Sequence, residues 1–307
     1  MRHGDRTEIL LFVVTVAIYS GGWIAAEVAL RGVAPLSLAA YRFLVAGAVL
    51  VAVARVGRQS LGLERPWTIL SLAFFGVAAG HALLYFGLRL APATDGVILS
   101  TALTPILSMA FAVGFLGERL SWRGMAGAAV GLAGVLLVVV GPRDAGARDV
   151  IAGDILMAVG AALIATYTVL GRVAMRTGSP IGVAGSSTII AGAMLLPFAL
   201  IFEGPVEPAS WSPETWLAFG YLTLPSAVLA ASVYFFLVRR SGAVRATLVQ
   251  YIVPVAVFAL SALLLGEAPT LVRIIGAGLA VLGTRLVLTD KATGILATRD
   301  IPQETYP

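Results

Sequence analysis

The chain has 307 residues, of which 59% are hydrophobic and only 12% charged, with a net charge of +5, two histidines and no cysteine. Soluble domains carry about 25% charged residues, and a chain this apolar has too little interior to hide its side chains from water. Composition therefore excludes an ordinary soluble enzyme and a disulfide-stapled secreted fold. It leaves lipid as the solvent.

A bilayer core of about 30 Å is crossed by about 20 apolar residues in a helix. Ten such runs follow one another, at approximately 8 to 30, 36 to 54, 67 to 89, 92 to 117, 122 to 140, 152 to 174, 181 to 202, 214 to 238, 242 to 265 and 270 to 289. Membrane strands would instead alternate polarity over about ten residues. The first run is too long, and too rich in polar marks, for a signal peptide.

Helix one sets Tyr19, Trp23 and Glu27 on one stripe at i, i+4 and i+8. Helix two carries Arg42 at a depth near that of Glu27, so the two are expected either to pair or to leave Arg42 for a substrate carboxylate. Snorkelling to the interface is the plain alternative. Helix three has His81 near its middle and Tyr85 one turn on; His81 either lines a cavity or only bonds a helix carbonyl. A ring with an ordinary pKa near 6.5 suits a proton-linked step. Helix four offers Ser100, Thr101 and Thr104 ahead of Pro105, and helix nine offers Thr247, Gln250 and Tyr251 ahead of Pro254. Tyr167 and Tyr234 add aromatic walls, Tyr234 doubling as an interfacial belt residue. Hydroxyls in such helices often bond their own backbone, whereas an amide has more hydrogen-bonding sites than its backbone can absorb. Glycines at 124, 127, 131 and 134, and at 276 and 283 around Ala280, read as packing faces, with a dimer seam as the second reading. The tail after Asp290 is short and polar, and is expected to be mobile.

The chain also repeats itself. Pro105 stands 13 residues before Glu118 and Pro254 stands 13 before Glu267, and at the 149-residue offset Leu99, Gly117, Gly127, Gly134 and Val138 also meet identical residues. Five spans per half is an odd number, so the second half enters the membrane from the opposite side. The expected architecture is an all-α membrane protein of ten transmembrane helices in two inverted five-helix repeats, 1–145 and 146–289, around a central cavity, with residues 290–307 as a tail. Matched prolines suggest matched hinges; Glu118 and Glu267 read as structural latches or gate contacts. With the N-terminus inside, cytoplasmic segments hold fourteen Lys and Arg against five outside, which places both termini in the cytoplasm. The same arginines account for the basic charge without a nucleic-acid partner.

The segments "YRFLVAGAVLV", "LTPILSMAFAVGFLGERLSWRGMAGAAVGLAGVLLV" and "SGAVRATLVQYIVPVAVFALSALLLGEAPTLVRIIGAGLAVLGTRLVL" resemble the ten-helix drug/metabolite transporter superfamily of the EamA type, over residues 8 to 289. The resemblance implies a prokaryotic plasma-membrane carrier that exports small metabolites. Within that family the aromatic amino-acid exporters are the most similar branch in length and aromatic-lined helices; other metabolites, drugs and nucleobases are the alternative cargo.

Other classes fit less well. No ligand cluster for a metal, no Gly-x-Ser-Gly motif in a span and no Gly-x4-Gly-Lys loop occur, so catalysis, a resident cofactor and nucleotide-driven transport are not expected. A non-transporting receptor would carry a signalling domain, and the loops are short. The expectation is a small-molecule carrier in the lipid bilayer, monomeric or a homodimer, with His81, Tyr85, Trp23, Tyr19, Thr101, Tyr167, Gln250 and Tyr251 around the solute.

Overall fold

In lipid a backbone must satisfy its own hydrogen bonds, and continuous apolar runs do so as helices. The computed structural model describes residues 3–116, 121–140, 147–229, 248–266 and 270–288, and within them finds ten long helical segments, a single 3-10 turn at Pro208–Ser210 and no strand. They are α1 (His3–Gly32), α2 (Pro35–Val56), α3 (Pro66–Leu88), α4 (Ala93–Leu116), α5 (Trp122–Val140), α6 (Ala147–Ala174), α7 (Pro180–Phe202), α8 (213–229), α9 (248–265) and α10 (Leu271–Leu288). Five of these contain stretches long and apolar enough to cross a membrane: Ile9–Gly32, Pro35–Val56, Pro66–Leu88, Asp149–Tyr167 and Pro180–Phe202. Exposed apolar side chains such as Val53, Phe74, Phe198 and Leu263 cover the outer faces.

Helix starts follow local chemistry. Pro35, Pro66, Pro180 and Pro213 open their helices, where the missing N–H costs nothing. Ser179 and Ser212 cap α7 and α8, accepting from Gly182 N at 2.9 Å and Thr215 N at 3.2 Å. Pro105 and Pro254 both lie inside helices that stay α-helical around them. The irregular turns lie elsewhere, as π-helical stretches at Leu72–Ala79 of α3, Pro225–Leu229 of α8 and Ser261–Leu265 of α9.

Packing runs between the two halves of the chain. Helix α2 lies on α7 and α5 on α10; α3 and α4 lie on α6, while α8 and α9 lie on α1. Exchanging each helix with the one five places along returns the same set of pairs. Glycine permits the closest approaches: a Cβ on Gly47 would collide with the backbone of Ile189 in α7, and one on Gly283 with the backbone of Gly131 in α5. Gly127, Gly131 and Gly134 of α5 thus face Gly276, Ala280 and Gly283 of α10 inside one chain, as the packing reading expects.

Two ends of the bundle matter below. One carries loops 33–34, 89–92 and 203–212; the other carries loops 57–65 and 175–179.

Candidate functional site

Arg42, seven residues into α2, is about 10 Å along the helix from its start, deeper than a guanidinium can lie in lipid without company. Its company is aromatic. Nη1 donates to the hydroxyl of Tyr85 on α3, and Cζ lies 5.4 Å from the ring centroid of Phe43 and 6.0 Å from that of Tyr85, within cation–π range. Tyr85 is almost wholly buried, at 1% exposure. No described carboxylate pairs with Arg42, and its Nε is buried without a hydrogen-bond partner.

His81 completes the group. Its ring stands near-perpendicular to both Phe43, at 5.0 Å, and Tyr85, at 6.4 Å between centroids. Nδ1 sits 2.9 Å from the carbonyl oxygen of Val77, one turn back in α3. A carbonyl only accepts, so Nδ1 carries a proton and donates it to Val77. The helix-carbonyl bond expected as the plain alternative is therefore present, and it fixes the ring beside Tyr85.

The expected Glu27–Arg42 pair does not form. Glu27 turns to its own end of the bundle, where Oε2 accepts from Ala93 N at 3.0 Å, the first residue of α4, and Oε1 lies 3.4 Å from Arg31. An unpaired helix N-terminus is a stronger claim on a carboxylate than a guanidinium on another face. Trp23 packs across α4 at Gly96, where a Cβ would stand 2.8 Å from its ring. Tyr19 is partly buried against the same core, and Tyr167 on α6 packs on α3 at Gly76. Thr101 contributes through its backbone: Pro105 has no N–H to give the Thr101 carbonyl, and Thr284 Oγ1 on α10 donates to it at 2.9 Å.

The structure thus brings Arg42, Tyr85 and His81 together and places Trp23, Tyr19, Tyr167 and Thr101 in the surrounding helices. The side chains of Gln250 and Tyr251 lie outside the described residues, as do Thr247, Tyr234, Glu118, Glu267 and the tail from 290. Phe43, Asp95, Arg273 and Thr284 were not legible as site residues. Asp95 had one signal, an acid in the first turn of a membrane helix; Arg273 looked like an ordinary loop arginine.

Comparison with known proteins fits this architecture. The EamA-like transporter family model matches residues 6–140 and again 151–289. The chain is 30% identical over 290 residues to an uncharacterized transporter of Archaeoglobus fulgidus, covering 92% of this chain and 97% of that protein. It is 27% identical over 297 residues to a probable terminal-alkyne amino-acid exporter of Streptantibioticus cattleyicolor, covering 90% and 91%. Against the aromatic amino acid exporter YddG of Ancylobacter novellus it is 30% identical over 190 residues, covering 61% and 64%. A multi-pass membrane transporter is the class these helices define. The chain belongs to the EamA-like transporter family.

Proposed function

We propose that the protein is a secondary transporter that exports small amphipathic metabolites, amino acids foremost and aromatic ones among them, across a prokaryotic plasma membrane by alternating access. The two halves form an inverted repeat, both termini are cytoplasmic, and the end with loops 33–34, 89–92 and 203–212 faces outward. The observation that carries the reading is Arg42, a guanidinium inside the bundle with aromatic faces around it, a buried Nε without a partner and no described carboxylate paired to it. An amino acid supplies what is missing: its carboxylate takes the guanidinium side-on and its side chain lies against Phe43, Tyr85 and Trp23. Helices α4 and α9 bend near Pro105 and Pro254. That two relatives are described as amino-acid exporters supports the same cargo.

The test is flux in liposomes holding the purified protein, with radiolabelled amino acids, with and without a pH gradient, beside His81→Ala. Saturable uptake of aromatic amino acids that weakens in the variant is the expected result. Silence across the panel from folded protein removes amino acids as cargo and turns the search to nucleobases and drugs.

A further inference from the structure

Three carboxylates hold the end of the bundle that carries loops 33–34, 89–92 and 203–212, and they hold it differently. Glu27 accepts from the first N–H of α4, and Glu203 accepts from Leu36 N at 2.9 Å and Ser37 N at 2.8 Å at the start of α2. Those bonds fix helix ends. Glu27 also meets Arg31 of its own helix at 3.4 Å, whereas Asp95 meets a charge from the other half: Arg273 Nε lies 2.8 Å from Oδ1 and Nη2 donates to Oδ2 at 3.0 Å. The Asp95 side chain is fully buried and that of Arg273 is 21% exposed. The pair joins α4 of the first half to α10 of the second.

Helix α4 touches α10 by a second polar tie, the bond from Thr284 to the Thr101 carbonyl that Pro105 leaves free. Between Asp95 and Thr101 lie about 9 Å of helix. Helix α10 is the fixed member, because its Gly276 and Gly283 rest on the backbone of α5. Helix α4 is the yielding one, since bending it at Pro105 breaks no bond of its own ladder. The other end of the bundle is tied by neutral bonds, from Ser179 N to Ser60 O at 2.9 Å and from Ser186 Oγ to Leu61 O at 2.9 Å.

We infer that Asp95 and Arg273 are the latch of the outward gate, and that residues 93–104 of α4 are the leaf that swings away from α10 about Pro105. The inference rests on the reading of the chain as an alternating-access carrier with this end outward. A buried ion pair suits the task. Its desolvation roughly offsets its attraction, so opening into water, where both charges hydrate, is nearly free. Losing Arg273 leaves the buried Asp95 carboxylate without that counter-ion, and losing Asp95 leaves the half-buried guanidinium without its own, so the equilibrium moves to open.

The protein has no cysteine, so a single Ser100→Cys reporter can be read without background. The Ser100 hydroxyl is buried in the leaf, and Ser210→Cys, in loop 203–212, is the exposed control. In proteoliposomes, Asp95→Asn or Arg273→Gln is expected to raise labelling of the Ser100→Cys reporter by a membrane-impermeant maleimide on the order of tenfold from the side on which the control labels. The reversed pair, Asp95→Arg with Arg273→Asp, should bring it back towards the parent rate. A reporter rate unchanged in both single variants, with or without a lower melting temperature, makes the pair a staple and overturns the latch. A control that labels from the inside instead refutes the assigned orientation while leaving the latch to be judged by its rate change. None of these readings requires the cargo to be known.

Discussion

Arg42 meets an aromatic hydroxyl and ring faces while its Nε stays unpaired, and such partners give way to a carboxylate far more readily than another acid would. Replacing it separates charge from fork geometry. Arg42→Gln is expected to abolish saturable amino-acid uptake while leaving the melting temperature equal or higher, because a charge short of partners leaves the bundle. Arg42→Lys should keep part of the maximal rate with a KM raised about tenfold or more, since a point charge cannot match a side-on carboxylate. A KM unchanged in the Lys variant would remove Arg42 from the solute. At this scale the sequence showed the deep residues and their depth but not their azimuth: Glu27 and Arg42 stand at similar heights on neighbouring helices and still face different partners. Thr284 was hidden for another reason. Pro105 announces that a carbonyl one turn back needs a donor, and nothing in the local pattern says which helix supplies it.

Helix spans were the most legible feature, because twenty apolar residues in lipid allow little else; α3 and α7 begin and end within one residue of the runs read from the sequence. The π-helical turns were not legible, because they share no residue signature: Pro225 opens one, Gly76 lies inside another and the third has neither. They recur, however: residues 225–229 of α8 fall on residues 76–80 of α3 at the repeat offset, overlapping the π stretch at Leu72–Ala79. A widened turn in both equivalent helices is the sort of feature that accompanies function. The glycines were legible as packing, while their partner was not. Gly283 and Gly278 of α10 make the contrast measurable. Gly283→Ala drives a methyl into the backbone of α5 and should cost about 1–3 kcal/mol. Gly278→Ala meets nothing within 4 Å and should be neutral or stabilising by up to about 1 kcal/mol. Equal melting temperatures for the two variants would mean that α5 and α10 are not in backbone contact.

For the whole molecule, the duplicated motif announced two halves, and the family model duly matches twice, yet how they interlock was not written in either copy. Most of the extensive helix contacts cross from one half to the other. Residues 1–145 and 146–307 made as separate polypeptides are therefore expected to be degraded alone and to accumulate as a complex when produced together, read by co-purification on a tag carried by one of them. Stable accumulation of the first segment alone would contradict the packing described.

The crossed pairing also sets an order of events during synthesis. Helices α1, α2 and α3 enter the bilayer before α6, α7, α8 and α9, on which they mainly rest, have been translated. Until then the glycine face of α2 is held by lipid and by weaker neighbours, so the early half waits as inserted but incompletely packed helices. Whatever protects nascent membrane segments in the cell acts on this protein chiefly in that interval, which ends as α7 docks along α2.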